Sequence, residues 1–237
     1  MRIIVTGAGS GIGAATARLL AAQGHQLACM DRDAGALRAL GPDHVAITVD
    51  VADEAAVIGA FQEAAERLGG IDALATCAGI YETTPFFETT ADIFRHVHDV
   101  NVIGTFLCLR EAAKRMEQGG RICTIASVAG LRGGGLAGTA SYASSKGAIL
   151  ALTKNAARAL ADRGIAVNTV APGMIETPFA AKPLADPAIR RRIEGMAIQN
   201  RLGTAEEIAE AIAWLLSPQA SFCNGMTLVA DGGMVMH

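Results

Sequence analysis

Short apolar runs alternate with helical segments along the whole chain, and this alternation constrains the fold more than any other sequence feature. The runs are continuously apolar, which is typical of strands buried on both faces of a parallel sheet. We predict strands at Ile3–Thr6, Gln26–Asp31, Val45–Val49, Ala73–Thr76, Ile122–Ala126, Ala166–Val170 and Thr227–Val229. Between them, apolar residues recur at helical spacing in Gly13–Gln23, Glu54–Leu68, Ala91–Met116, Tyr142–Leu160 and Glu206–Leu216.

This pattern predicts an α/β fold, an open doubly wound parallel sheet with helices on both faces and right-handed crossovers. We expect the strand order 3-2-1-4-5-6-7, with the functional site outside the carboxyl ends of the strands. The 237 residues contain no linker, repeat or low-complexity tract, so we expect residues 1–237 to form one domain. The stretch Gly130–Gly138 is expected to be a loop, and Thr204 with Glu207 predicts a capping box on the last helix.

Composition excludes several classes of protein. Apolar residues make up 51% of the chain and charged residues 18%, which excludes a disordered chain. The formal net charge is −3, so no basic field exists to hold nucleic acid. No apolar stretch reaches the roughly 18 residues that span a bilayer, and no signal peptide pattern is present. We therefore expect a cytoplasmic protein with no nucleic acid or membrane partner.

The cysteines and histidines give no metal-binding pattern. The cysteines are scattered and include no C-x-x-C pair: Cys29, Cys77, Cys108, Cys123 and Cys223. His96 and His98 lie two residues apart on a predicted helix and therefore point to different faces. We predict no metal site.

The first predicted strand runs into a glycine-rich turn, Thr6-Gly7-Ala8-Gly9-Ser10-Gly11-Ile12-Gly13, and a helix follows. In this context Gly7 permits the tight turn, and Gly11 lets the backbone approach a pyrophosphate. Gly13 lets the helix pack closely on the strand, while the helix N-terminus offers free N–H groups and its dipole to an anion. We predict a dinucleotide site here that includes Ser10 and Ile12.

Acidic residues follow the next two strands. Asp31 closes the second strand 18 residues after Gly13, where a carboxylate accepts hydrogen bonds from an adenosine ribose. The alternative is that Asp31 is an ordinary turn residue. Asp50 and Val51 end the third strand and are expected to border the adenine. Asp31 favours NAD over NADP because it repels a ribose phosphate, whereas Arg32 beside it favours NADP.

Tyr142 and Lys146 lie four residues apart on a predicted helix, so their side chains share one face. A phenol with a pKa of about 10 is a poor acid–base group at neutral pH. A neighbouring ammonium group favours the phenolate, so we expect Lys146 to lower the pKa of Tyr142. The alternative is that the pair lies on a solvated helix face.

Taken together, these motifs resemble the short-chain dehydrogenase/reductase family in its compact single-domain, Rossmann-type form, over essentially the whole chain. Ser127, after the fifth strand, corresponds to the family's catalytic serine, and Asn101 in Asp99-Val100-Asn101-Val102 corresponds to its helix asparagine. Pro172, Gly173, Ile175 and Thr177 belong to a segment that resembles the loop holding the nicotinamide.

The resemblance implies a role for each catalytic residue. Tyr142 is expected to be the general acid in carbonyl reduction and the base in alcohol oxidation. Ser127 is expected to orient the carbonyl oxygen, and Lys146 to hold the nicotinamide ribose. Asn101 is expected to position a water in the proton relay, while the coenzyme carries the hydride.

Two features depart from the family pattern. Cys77 in Thr76-Cys77-Ala78-Gly79 stands where the family usually has an asparagine, although Cys77, Ala78 and Gly79 are still expected to line the coenzyme pocket. The segment between Ser127 and Tyr142 is longer than usual and contains Gly133-Gly134-Gly135, which we expect to form a surface bulge. Ser141 and Thr139 are the alternatives to Ser127.

The resemblance implies an NAD(H)-dependent oxidoreductase that interconverts a small-molecule secondary alcohol and a ketone. One alternative is an NADPH-dependent 3-oxoacyl thioester reductase. Another, from a different class, is a non-catalytic coenzyme-binding sensor or scaffold, against which the intact set of four catalytic residues argues.

Residues 178–203 follow the nicotinamide loop and are expected to cover the substrate as a mainly apolar lid, through Phe179, Ala180, Ala181, Leu184, Ile189 and Met196. Family members commonly pair the helices that correspond to Ala91–Met116 and Tyr142–Leu160 across a two-fold axis. These helices carry more apolar residues than one buried face requires, including Ala112, Ala113, Ala148, Leu152, Ala156, Ala157 and Leu160. We therefore expect a homo-tetramer, with a dimer as the alternative.

Overall fold

The computed structural model describes residues 1–134 and 139–236, without the side chains of Phe179, Lys182 and Pro183. Gly135 of the expected bulge, the end of the predicted loop Gly130–Gly138, and the Phe179 side chain of the expected lid lie outside this description.

Strands and helices alternate as the sequence pattern predicts. The strands are β1 (Arg2–Thr6), β2 (Gln26–Asp31), β3 (Val45–Thr48), β4 (Ile71–Thr76), β5 (Met116–Ile125), β6 (Ala166–Pro172), β7 (Ile175–Glu176), β8 (Gly203–Thr204) and β9 (Thr227–Ala230). The helices are α1 (Gly11–Ala22), α2 (Ala34–Ala39), α3 (Glu54–Leu68), α4 (Ala91–His98), α5 (Gly104–Arg115), α6 (Val128–Arg132), α7 (Ala140–Ala159), α8 (Ala181–Leu184), α9 (Pro187–Glu194) and α10 (Ala205–Leu216).

Seven strands form one parallel sheet in the order β3-β2-β1-β4-β5-β6-β9. The short strands β7 and β8 pair with each other in a separate ladder. The predicted order 3-2-1-4-5-6-7 and the doubly wound fold are therefore confirmed. Because β1 lies between β2 and β4, the strand order reverses there, and a crevice opens at the carboxyl ends of the strands.

The two faces of the sheet are covered by different helices. Ile4 and Leu74 belong to an apolar cluster with α3, α5 and α7. Ile3 and Val5 belong to the opposite cluster with α1 and α10. Successive side chains of a strand point to opposite faces, so burial on both faces explains why the strands are continuously apolar. The helices cover the faces of the sheet and leave its carboxyl edge for a site.

Two predicted segments differ from the structure. Gly130–Gly138 is not a loop throughout, because α6 occupies its first residues; Ser127 starts this helix by accepting a hydrogen bond from the N–H of Ala129 at 3.1 Å. The predicted helix Ala91–Met116 is interrupted by a π-helical turn over Asp99–Ile103. The predicted capping box is confirmed, since Thr204 and Glu207 each accept a backbone hydrogen bond from the other.

The small apolar residues that suggested subunit contacts differ in burial. Ala112, Ala113 and Ala157 are buried, and Leu152, Ala156 and Leu160 pack against the same apolar cluster, while Ala148 is half-buried. Three of the seven residues are therefore used in the core of this chain, and the other four stay partly exposed. The large apolar side chains that α4, the π-helical turn and α5 expose are Phe94, Ile103 and Phe106.

Among the described residues, no helix combines the length and apolar character needed to cross a membrane. No group of three or more potential metal-ligating side chains was found in residues 1–134 and 139–236 either.

Candidate active site

A cavity of about 490 Å³ opens at the carboxyl edge of the sheet. Every residue predicted to bind the coenzyme lines it: Gly7, Ser10, Gly11, Ile12, Gly13, Asp31, Arg32, Asp50, Val51, Cys77, Ala78, Gly79, Tyr142, Lys146, Pro172, Gly173, Ile175 and Thr177. Ser127 also lines it, whereas the alternatives Ser141 and Thr139 do not. Asn101 is the one predicted site residue outside the lining.

Glycines shape the loop between β1 and α1. Gly7 has a φ of +67°, and a Cβ on it would lie 2.6 Å from the backbone nitrogen of Ala78. A Cβ on Gly13 would overlap the carbonyl oxygen of Gly7. The start of α1, the end of β1 and the loop after β4 are therefore in direct backbone contact. Larger side chains at these positions would push the loop between β1 and α1 out of place.

The N-terminus of α1 faces the cavity without a competing anion. Its N-cap residue, Ser10, makes no side-chain capping hydrogen bond, and the first turn contains no acidic residue. The N–H groups of the first turn and the positive end of the helix dipole are therefore available to a ligand phosphate. This cradle fits the pyrophosphate of a dinucleotide.

Backbone hydrogen bonds fix the orientation of the Asp31 carboxylate. The N–H of Gly9 donates to Oδ2 at 2.9 Å, and the N–H of Asp33 donates to Oδ1 at 3.0 Å. Each oxygen keeps a lone pair for a ligand hydroxyl. Arg32 is exposed and makes no hydrogen bond or ion pair within the described residues, so its guanidinium can move toward or away from the cavity. Asp31 fits a ribose with free hydroxyls.

Ser127 and Tyr142 meet at the other end of the cavity. Each is only 8% exposed, and the two hydroxyl groups share a hydrogen bond. The Tyr81 ring packs edge-on against Tyr142, with 5.1 Å between ring centroids. Burial raises the pKa of Tyr142 to about 12, although the hydrogen bond with Ser127 acts in the opposite direction. The phenol is therefore protonated at neutral pH.

Lys146 lies beside this pair but binds the backbone. Its Nζ donates to the carbonyl oxygen of Ile125 at 2.8 Å and lies 5.8 Å from the centroid of the Tyr142 ring. Burial lowers the pKa of Lys146 to about 8. The expected lowering of the Tyr142 pKa is absent in this arrangement, because loss of solvation dominates and the ammonium group is directed at Ile125.

Asn101 lies behind the cavity wall and braces it. In the π-helical turn its Oδ1 accepts from the N–H of Ile80 at 2.8 Å. Its Nδ2 donates to the carbonyl oxygen of Ile80 at 3.0 Å and to the hydroxyl of Ser145 at 3.0 Å. Both amide N–H groups are thus used to tie the loop after β4 to α7, the helix of Tyr142 and Lys146. The side chain therefore braces the site, and the water-positioning role expected for Asn101 stays a prediction.

Cys77 stands where the family usually has an asparagine, and hydrogen bonds to Thr6 still hold the loop after β4 in place. The N–H of Cys77 donates to the carbonyl oxygen of Thr6 at 3.1 Å, and the N–H of Ala78 donates to the Thr6 hydroxyl at 3.4 Å. Burial raises the pKa of the Cys77 thiol to about 12, against an opposing hydrogen bond with Thr16. The thiol is therefore protonated at neutral pH.

Parts of the expected lid, residues 178–203, reach the cavity. Ala180 and Met196 line the cavity together with Ile193. Leu184 is buried in a separate apolar cluster with Ala180 and Ile193, whereas Ile189 is 42% exposed. Arg190 pairs with Glu176 at 2.8 Å and with Glu194 at 2.9 Å, which fastens α9 to β7.

Sequence reasoning missed several residues in the cavity wall, chiefly Tyr81, Arg132, Met174 and Met234. Met174 lies within the predicted nicotinamide loop, so its position there was a usable signal. The other three belong to no motif and come from separate parts of the chain. Only the topology brings them to the cavity.

Residues 7–235 match the model of a protein family described as enoyl-(acyl carrier protein) reductase. The cis-4-hydroxycyclohexanecarboxylate dehydrogenase of Sinomonas cyclohexanicum is 39% identical, with 97% of this chain and 94% of that protein aligned. The 2-(R)-hydroxypropyl-CoM dehydrogenase of Xanthobacter autotrophicus is 38% identical, with 97% and 96% aligned. A 3-oxoacyl-[acyl-carrier-protein] reductase of Mycobacterium avium is 34% identical, with 99% and 89% aligned.

Solved structures are similar over the whole length of the chain. A short-chain dehydrogenase/reductase from Brucella melitensis superposes with a TM-score of 0.93 at 35% identity, covering 99% of this chain and 96% of that one. A short-chain dehydrogenase from Burkholderia cenocepacia, in complex with NADP, gives a TM-score of 0.90 at 34% identity, covering 98% and 97%.

Proposed function

The chain belongs to the short-chain dehydrogenase/reductase family of oxidoreductases, which use a nicotinamide coenzyme, and on that premise we propose that it interconverts a secondary alcohol and a ketone with NAD(H). One observation carries the proposal: a single cavity holds a glycine-lined phosphate cradle at one end and the buried Ser127, Tyr142 and Lys146 at the other. When bound, the coenzyme supplies or accepts the hydride.

We assign the binding residues by their position along the cavity. The first turn of α1 binds the pyrophosphate, Asp31 binds the adenosine ribose, and Asp50 with Val51 borders the adenine. Lys146 holds the nicotinamide ribose. Ile175 and Thr177 lie beside the nicotinamide. Residues 178–203 cover the substrate, a role supported by Ala180, Ile193 and Met196 in the cavity lining.

The proton moves through Tyr142. In carbonyl reduction, the Ser127 hydroxyl holds the substrate oxygen and the Tyr142 phenol donates its proton to that oxygen. In alcohol oxidation, Tyr142 takes the proton back. Burial keeps the Tyr142 phenol protonated at neutral pH, so the proton that reduction needs is present on the side chain. Asn101 keeps α7 at the right distance through Ser145.

Tyr142→Phe keeps the ring and removes the proton donor. We expect kcat for ketone reduction to fall by at least about 10²-fold, with little change in coenzyme affinity. Tyr81→Phe is the matched control, because it removes the other phenol of the same cavity wall and should reduce kcat far less. Stopped-flow measurement of NADH oxidation gives kcat for both variants. Near-wild-type turnover by Tyr142→Phe would show that another group transfers the proton.

NAD is the proposed coenzyme because of Asp31. Charge-assisted hydrogen bonds from ribose hydroxyls to a carboxylate contribute roughly 1.5–3 kcal/mol each. A phosphate of charge −2 at about 4 Å from the carboxylate would cost about 2 kcal/mol even at the dielectric of water. Arg32 can offset part of that cost. Ser10, a position that is often basic in NADP-preferring relatives, offers no further cation.

We therefore expect kcat/KM to favour NAD(H) over NADP(H) by at least about tenfold on one substrate. Asp31→Ala should narrow this preference, mainly through weaker NAD binding and admission of NADP. Asp50→Ala removes a second carboxylate from the same end of the cavity and should affect both coenzymes alike. A wild-type preference for NADP(H) would mean that Arg32, not Asp31, determines the choice.

A second candidate is an NADPH-dependent 3-oxoacyl thioester reductase. The Mycobacterium avium relative, described as a 3-oxoacyl-[acyl-carrier-protein] reductase, is the observation that favours it, and the Burkholderia cenocepacia structure contains NADP. The two candidates differ in coenzyme, so the kinetic comparison of NADH and NADPH also separates them when acetoacetyl-CoA is the substrate.

We also propose a homo-tetramer that works in the cytoplasm. The described structure contains five free cysteines, as expected for a reducing compartment. Ile103 and Phe106 are 46% and 44% exposed on one helical segment, and they support an apolar contact between subunits. Light scattering should give four times the monomer mass for the tetramer, or twice the monomer mass for the alternative dimer. A monomer at micromolar concentration would refute the assembly.

A further inference from the structure

The substrate end of the cavity, where Tyr81, Ser127 and Tyr142 supply hydroxyl groups, carries few charged residues within the described chain. Asp31, Arg32 and Asp50 lie at the ends of β2 and β3, where the adenosine binds in the proposed function. At the Ser127 end, within the described chain, the charged lining residues are Lys146 and Arg132. Lys146 already donates to the carbonyl oxygen of Ile125. Among the described residues at this end, Arg132 therefore carries a charge that no protein group uses.

Arg132 has no protein partner in residues 1–134 and 139–236. It is exposed and makes no hydrogen bond or ion pair there. Two arginines of the expected lid are paired: Arg190 with Glu176 and Glu194, and Arg201 with Glu207. Arg191 and Arg192 of the same segment do not line the cavity, whereas Arg132 does, and its charge is left for something that enters the cavity.

Arg132 is held at a short distance from the reacting groups. It ends α6, the helix that Ser127 caps, and lies five residues after Ser127. At about 1.5 Å of rise per residue, the two Cα atoms are roughly 7 Å apart along the helix axis. One small molecule can therefore place an oxygen on Ser127 and another group on Arg132. Met174, Ile193 and Met196 supply an apolar wall for the carbon atoms between them.

We propose that Arg132 binds an anionic group of the substrate, so that the substrate is a hydroxy acid or keto acid rather than a neutral alcohol. The planar guanidinium group offers paired donors that match a carboxylate, a sulfonate or a phosphate. This inference rests on the proposed function and defines its substrate class. An arginine in the last turn of a helix also stabilises the carbonyl end. That structural role, however, does not discriminate charged from neutral substrates.

The test compares 5-oxohexanoate with its methyl ester, which has the same carbon chain without the charge. The wild-type enzyme should reduce the acid with a higher kcat/KM than the ester. Arg132→Met should lower kcat/KM for the acid by at least about tenfold and leave that for the ester within about twofold. Arg132→Lys should restore part of the loss. Arg191→Met removes an exposed arginine of α9 that does not line the cavity, and it should leave the acid-to-ester ratio unchanged.

Other outcomes overturn the proposal. An equal loss on acid and ester in Arg132→Met would mean that Arg132 only supports α6, and a wild-type enzyme indifferent to the charge would mean that no anion is bound. Two further substrates distinguish a phosphate of the carrier from a carboxylate of the substrate. Acetoacetyl-CoA contains phosphates, whereas acetoacetyl-N-acetylcysteamine lacks them. An Arg132→Met effect confined to the CoA ester would assign the site to a carrier phosphate instead of a carboxylate.

Binding without turnover separates this inference from the proposed function. Hexanoate has no carbonyl to reduce, and it can be titrated calorimetrically into the full-length enzyme with NADH present. Binding that weakens at least about tenfold in Arg132→Met supports the anion site, even if no ketone is reduced and the proposed function fails. Reduction of ketones without any hexanoate binding would leave the proposed function intact and refute the role of Arg132.

Discussion

Loss of solvation around Tyr142 and Lys146 is the constraint on which the site depends. Burial raises the pKa of the phenol to about 12 and lowers that of the ammonium group to about 8. Both shifts disfavour charge, so the resting pair is a protonated phenol beside a destabilised ammonium group. Two contacts offset part of the cost: the hydrogen bond between Tyr142 and Ser127, and the carbonyl oxygen of Ile125 that Lys146 approaches.

The surrounding fold holds this pair by close backbone packing. A Cβ on Gly130 would lie 2.6 Å from the backbone nitrogen of Gly147, so α6 and α7 touch where Ser127 and Lys146 are anchored. The Asn101 amide ties α7 to the loop after β4. The same loop touches Gly7 of the turn between β1 and α1. The glycine turn and Tyr142, the proposed proton donor, are thus parts of one packed unit at the edge of the sheet.

The sequence was sufficient for the parts that depend on local patterns. Continuous apolar runs identified the strands, and the glycine turn, Asp31 and the pair Tyr142 and Lys146 carry their chemistry in short motifs. It was insufficient for Arg132, since only the topology brings this motif-free residue into the cavity. The pKa of Tyr142 was predicted in the wrong direction, because spacing on a helix indicates a neighbouring charge but not the loss of water that every surrounding element causes.

The most direct test of the central claim is the pH dependence of stability in Lys146→Met. Below about pH 8 the wild-type lysine is charged in both the folded and the unfolded chain, so folding bears the full cost of desolvating the ammonium group. That cost is about 3 kcal/mol for a pKa of 10.5 in the unfolded chain and about 8 in the folded chain. Between pH 8 and 10.5 only the folded chain loses the proton, and wild-type stability rises. Urea unfolding should show Lys146→Met more stable than wild type at pH 7, with an advantage that shrinks by pH 9.5. The exposed Lys154→Met on the same helix should show no such trend, and a pH-independent difference for Lys146→Met would contradict the account.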